Sequence, residues 1–163
     1  IVFCEGISVL QNPWFSDISM EVNKGELIEI YAPNLDERFI LRDSIFVLPL
    51  GNHRFRVGAT FVRQPVDAIP SNEGLDELTE RLNEIVSVEY QIVQHWAGFR
   101  PAMRDRKPVV GQHPHFPQLF ILNGLGSHGV LQAPYWASNM AQQLTEPQTK
   151  IPHEVSVQRF YKR

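Results

Sequence analysis

The chain has 163 residues, which at about 100–200 per domain make one domain or a large piece of one. Its 43% hydrophobic and 20% charged residues exclude a disordered chain, and a net charge of −3 lacks the concentrated basic face that a phosphate backbone requires. One cysteine excludes a disulfide framework and a thiolate-rich zinc site, and no apolar run approaches the ~18 residues that cross a bilayer, so no membrane partner and a cytoplasmic location are expected.

The chain opens on Ile1-Val2-Phe3-Cys4-Glu5-Gly6, without methionine or a basic n-region, and reads as a short buried strand already inside a fold. A fragment of a longer protein is the expectation. After the turn-prone Gln11-Asn12-Pro13, Leu27 to Tyr31 suits a strand, with Gly25 marking a bulge or a close backbone approach. Ser44 to Leu50 and His53 to Val57 form a hairpin about Gly51-Asn52, both tolerant of positive φ. Pro65 to Gly74 reads as a loop. Leu75, Leu78, Leu82 and Ile85 then recur every three or four residues, giving a helix with one apolar stripe and a Glu77–Arg81 pair beside it.

Ser87 to Trp96 returns to strand character, and Gly98-Phe99-Arg100-Pro101 is expected to break it. Short strands follow at Val109-Val110 and Leu119 to Leu122. Gly129 to Leu144 favours helix, with Ala133, Ala137 and Ala141 four apart, and Glu154 to Val157 is strand-like. The mixture predicts an α+β fold with a mixed, largely antiparallel sheet and flanking helices.

Gly124-Leu125-Gly126-Ser127-His128-Gly129 is formally G-x-G-x-x-G between a strand and a helix. A dinucleotide fingerprint needs a βαβ unit with an acid ending the second strand. Glu146 instead falls in a Pro-flanked loop, and too little chain remains for further crossovers. The physical content survives: small residues admit a planar ligand, and free amides at a helix start favour negative charge. Arg100 stands between Phe99 and Pro101; the proline restricts residue 100 to extended backbone, which aims a guanidinium suited to a carboxylate. Against that, most arginines are simply solvated.

His113-Pro114-His115 lacks a third metal ligand at useful spacing and reads as a solvated loop, so no metal is expected. His128 is placed to donate to a ligand or cap the helix. His95-Trp96 reads as packing, and Cys4 as an inert buried thiol.

Trp96-Ala97-Gly98-Phe99-Arg100-Pro101, Arg104 to Gly111, Leu119 to Gly129 and Ala133-Pro134 together resemble, in order and spacing, the C-terminal half of the FAD-dependent D-amino-acid oxidase superfamily, with its glycine oxidase and sarcosine oxidase branches. Asn23-Lys24-Gly25-Glu26-Leu27, Val57-Gly58-Ala59-Thr60, Ile1 to Gly6 and Glu154-Val155-Ser156 are similar to further family elements. The resemblance implies residues 1–8 as the last strand of the FAD-binding domain, 9–97 as the substrate-binding domain, and 98–163 as the segment returning to the flavin. It implies Arg100 as carboxylate anchor, and Leu125, Gly126, Ser127, His128, Gly129, Val130 and Leu131 against the isoalloxazine, with the N-terminal FAD-binding half lying outside this sequence.

Three departures matter. Ser127 stands where glycine oxidase has a second arginine. Leu131 stands where sarcosine oxidase has a lysine, and Pro101 to Met103 offers no cysteine to attach FAD, which implies noncovalent FAD. The implied activity is hydride transfer from a small-molecule amine or amino acid to flavin, without an obligate side-chain base. Three alternatives stay open: a catalytically silent fragment, a binding module without its own FAD, and an oxidase acting on a modified tRNA base. The last is suggested by Asp105-Arg106 and Gly126-Ser127.

Overall fold

The computed structural model describes residues 1–63 and 67–161. In chain order its elements are β1 (Val2–Phe3), β2 (Met20–Tyr31), β3 (Leu41–Arg42), β4 (Phe46–Gly51), β5 (Arg54–Gly58), β6 (Val62–Arg63), α1 (Asn72–Ile85), β7 (Gln91–Met103), β8 (Val109–Gln112), β9 (Phe120–Asn123) and α2 (Gly129–Thr145). Short 3-10 turns occupy Gly6–Gln11, Gly126–His128 and Val157–Phe160. The fold is α+β, with antiparallel pairing dominant. The loop expected from Pro65 lies partly outside the described residues, as do residues 162–163 of the tail.

The chain divides into two compact units, residues 23–99 and residues 1–22 with 100–163. In residues 23–99 the strand order is β3-β4-β5-β2-β6, with β7 also pairing β2. Strand alternation sends Ile28, Ile30, Val47, Phe55 and Val57 to one face, where they bury Leu78 and Leu82 of α1. Each fully buried leucine contributes about 1.5–3 kcal/mol. The α1 stripe therefore forms as its spacing predicts. Ser71 starts the helix, its hydroxyl accepting the Gly74 N–H at 3.1 Å. Arg81 and Glu77 pair at 2.8 Å. The β4–β5 hairpin turns at Gly51, Asn52 and His53, all at positive φ, one residue further than expected.

In the other unit β9 pairs β1 in parallel and β8 antiparallel. Val109 and Ile121 face a core with Val9, Phe15, Ile18, Met103 and Val157, while Val110 and Phe120 face Trp136 and Met140 of α2. Burial of Val9, Phe15 and Ile18 in this core groups residues 9–22 with 100–163.

Several local expectations change. β7 runs unbroken through Gly98–Pro101, because a proline ends a strand only where the ladder needs its N–H. β2 starts at Met20 and passes straight through Gly25. Ile1 and Val2 are exposed because β1 is the edge of its sheet; only Phe3 turns to the core, so Cys4, pointing the other way, is an exposed thiol. Burial of part of that side chain and the charge of Glu5 push its pKa up. Ala137 and Ala141 lie on the solvent side of α2, where alanine serves helix propensity and not packing. Of the strand expected at Glu154 to Val157 only a single parallel bridge, Ser156 to Val110, forms before a 3-10 turn.

Candidate functional site

Both main candidates lie in the unit of residues 1–22 and 100–163. Ala102 of β7 forms an antiparallel bridge with Leu125, and a Cβ built on Gly126 would meet the Ala102 Cβ at 3.7 Å. Residues 100 and 102 share one face of a strand, so the Arg100 side chain leaves β7 on the same face as the Ala102 Cβ, about 7 Å along. Its side chain is partly buried, and the loss of water lowers its pKa. It stays charged, as arginine does in proteins.

The loop itself is shaped by two glycines. Gly124 has φ +71°, and a Cβ there would sit 2.4 Å from Met103 Cγ, so both conformation and space demand glycine. Gly126 has φ +56°. Asn123 fixes the entry, accepting the Gly124 N–H at 2.8 Å and donating to the Gly6 carbonyl at 2.8 Å.

After the turn at Gly126–His128, α2 begins at Gly129 with no side chain capping it. Its first amides therefore lack the partner a cap supplies. His128 is the cap residue by position, but its Nδ1 instead meets the Ser127 hydroxyl at 3.3 Å. Val130 and Leu131 stand 97% and 78% exposed, an apolar pair set in the open beside those amides. Pro134 withholds the N–H that would bond the Val130 carbonyl. No strand pairs β9 after α2 among the described residues, and Glu146 is the C-cap of that helix, so the loop does not open a βαβ unit.

His113 is structural. His113 is buried, contrary to a solvated loop: its Nδ1 accepts N–H bonds from His115 (3.0 Å) and Phe116 (3.2 Å), and its Nε2 lies 2.8 Å from the Trp14 carbonyl. Those acceptances assign the proton to Nε2, within a ring cluster of Phe15, Phe116 and Tyr161.

The sequence reading missed a charged cluster in residues 23–99. Glu26 is 1% exposed; its Oε1 meets Lys24 Nζ at 3.0 Å and the Ser71 hydroxyl at 2.8 Å. Its Oε2 accepts from the Ser71 N–H at 3.0 Å and from His95 Nε2 at 2.8 Å, so His95 is a ligand of Glu26 and not mere packing. Gly74 leaves room for that carboxylate, which a Cβ would approach to 2.4 Å. Burial alone would raise the Glu26 pKa, but the bonds from Ser71, Lys24 and His95 outweigh it and hold it at about 2. Lys24 and Glu26, two apart on the inward face of β2 with Ile28, were the available signal.

A cavity of about 640 Å³ in the same unit is lined by Tyr31, Asn83, Val86, Ser87, Tyr90 and neighbours, and includes none of the candidate residues. No group of three or more His, Cys, Asp or Glu among the described residues could hold a metal ion, and no described helix is long and apolar enough to cross a membrane.

Residues 1–143 match the family model described as FAD dependent oxidoreductase. The chain is 28% identical over 124 residues to glycine oxidase of Bacillus licheniformis, covering 74% of this chain and 34% of that protein. It is 31% identical over 118 residues to the tRNA 5-methylaminomethyl-2-thiouridine biosynthesis bifunctional protein of Idiomarina loihiensis, covering 68% of this chain and 19% of that one. The crystal structure of glycine oxidase from Geobacillus kaustophilus superposes with a TM-score of 0.84 at 24% identity, over 96% of this chain and 44% of that chain. The chain thus spans about a third of the length of the first curated relative.

Proposed function

The chain belongs to the family of FAD-dependent oxidoreductases, and on that premise we propose that it carries the substrate-anchoring and flavin-covering parts of an oxidase of amines or amino acids. In this reading residues 9–97 form the substrate side, and residues 1–8 and 98–163 belong with the flavin. FAD, when bound, would supply a hydride acceptor for the carbon that bears the neutral amine, the iminium so formed releasing a proton to water to give the imine.

The observation that supports the reading is the Ala102–Leu125 bridge, which brings β7, two residues beyond Arg100, against the start of the glycine loop. Arg100 binds the substrate carboxylate through two parallel N–H bonds, and so orients the amine-bearing carbon. The donor set suits a flavin. The uncapped start of the 17-residue α2 at Gly129 would favour the negative charge that reduction brings to one ring edge. Exposed Val130 and Leu131 offer apolar cover to the ring. The 31% identity to the tRNA-modifying protein favours a second substrate class, a secondary amine on a modified base.

Arg100→Ala in the FAD-loaded protein that contains this chain tests the reading. KM for carboxylated amines should rise about ten-fold or more, with amines lacking a carboxylate unaffected. An unchanged KM for every carboxylated substrate would contradict it.

A further inference from the structure

The cavity of about 640 Å³ in residues 23–99 lies at the C-terminal end of α1. Asn83 of the last helical turn, Val86 at the C-cap and the segment from Ser87 to Gln91 line one part of it; Tyr31, Pro33 and Asn34 line another. The Tyr90 hydroxyl donates to Asn83 Oδ1 at 2.9 Å, which ties that segment back to the helix it leaves. Val86 and Val88 join the core of this unit and give the cavity an apolar side. The side chains of Asn34, Ser87, Glu89 and Gln91 make no hydrogen bond among the described residues, so their oxygens remain open acceptors.

The charge around this cavity has one sign. No Lys, Arg or His lines it, whereas Glu89 does. The carbonyls of Asn83, Glu84 and Ile85, the last of α1, receive no backbone N–H among the described residues, so the helix ends there in partial negative charge. A base in the last turn is the ordinary answer to that charge, and this 14-residue helix has none. Glu84 stands in that turn instead. Neither Glu84 nor Glu89 forms an ion pair among the described residues, and Arg81, one turn back, is already bound to Glu77 at 2.8 Å. Residues 23–99 hold twelve acidic against seven basic residues, which deepens the negative potential.

We propose that this cavity binds an organic ammonium ion. Glu89 and the carbonyl oxygens at the end of α1 receive its charged head, and Val86, Val88 and the two tyrosines give surface to its alkyl body. The site does not rest on the oxidase reading.

Isothermal titration calorimetry of the protein that contains this chain, at constant ionic strength, tests the site with tetramethylammonium, butylammonium and neutral 1-butanol. Saturable binding of an ammonium ion is expected, with no binding of butanol over the same range. Glu89→Gln, an exposed substitution, should raise Kd about two- to five-fold. Ser87→Lys sets a cation in the cavity, suits a helix C-terminus, and should raise Kd about ten-fold or more. A stronger response to butylammonium assigns N–H donation to the oxygens, and one to tetramethylammonium assigns contact with the tyrosine rings. Absence of saturable binding by both ions, equal binding of butanol, or a Kd unchanged in either variant overturns the proposal. Tetramethylammonium has no nitrogen lone pair with which to form an imine, so its binding is read apart from turnover. If that protein oxidises no amine at all, the oxidase reading falls and the titration alone decides the cavity.

Discussion

Replacing Glu26 by glutamine separates the charge of the buried carboxylate from its shape. In the native chain the carboxylate accepts from Ser71 twice, from Lys24 and from His95, and its pKa falls from 4.5 to about 2. At 1.36 kcal/mol per unit that depression bounds its linked stabilisation at about 3 kcal/mol, and water reaching the Lys24 side trims it to about 1–3 kcal/mol. The sign follows from the direction. The unfolded carboxyl binds protons more readily than the folded one, so the stabilisation is complete above about pH 4.5 and is lost as pH falls toward 2.

Glutamine also presents an NH₂ group where two donors converge and takes from Lys24 the charge it meets at 3.0 Å. Urea unfolding followed by circular dichroism at pH 7, 4 and 2.5 should give a loss of about 2–4 kcal/mol for Glu26→Gln at pH 7. The gap between native and variant should narrow below pH 4.5. A difference under about 0.5 kcal/mol at pH 7, or one that does not change with pH, would show that the Glu26 charge does not stabilise the fold.

Gly124→Ala should cost about 2–4 kcal/mol, since it combines a strained φ of +71° with a Cβ 2.4 Å from Met103. Met103→Ala on the same chain should recover only the steric part, so a thermal-unfolding cycle shows coupling between the two; additive losses would place the cost elsewhere. His113→Leu keeps the ring cluster apolar but strips acceptors from the His115 and Phe116 N–H groups, and should cost about 2–4 kcal/mol by urea midpoint. A neutral result would show that water serves those amides equally well.

What local chemistry decides was readable before any coordinates. The apolar stripe Leu75-Leu78-Leu82-Ile85 and the positive-φ residues about Gly51-Asn52 act over a few residues, and the helix forms where its stripe stands and the hairpin turns one residue further along. The glycine loop was readable for the same reason: strand, tight turn and helix start follow one another directly. Pro101 misled because the rule that prolines stop strands is local, while whether a ladder needs that N–H depends on the neighbouring strand.

The pairs that went unseen are long-range. Glu26 finds Ser71 and His95 at separations of 45 and 69 residues. His113 reaches the Trp14 carbonyl 99 residues away. A buried charge in a strand says that a partner exists, but only the fold says which. Cys4 erred in the opposite sense, since apolar neighbours in sequence do not make an edge strand buried.

Arg100 and the loop from Leu125 to Leu131 are proposed to serve one ligand site against the flavin. The most direct measurement is the visible spectrum of the FAD-loaded protein titrated with a small carboxylate such as acetate or glycolate. A saturable perturbation of the flavin bands is expected, with a Kd that rises about ten-fold or more in Arg100→Ala while FAD itself is retained. A perturbation with the same Kd in both proteins, or none in either, would contradict it.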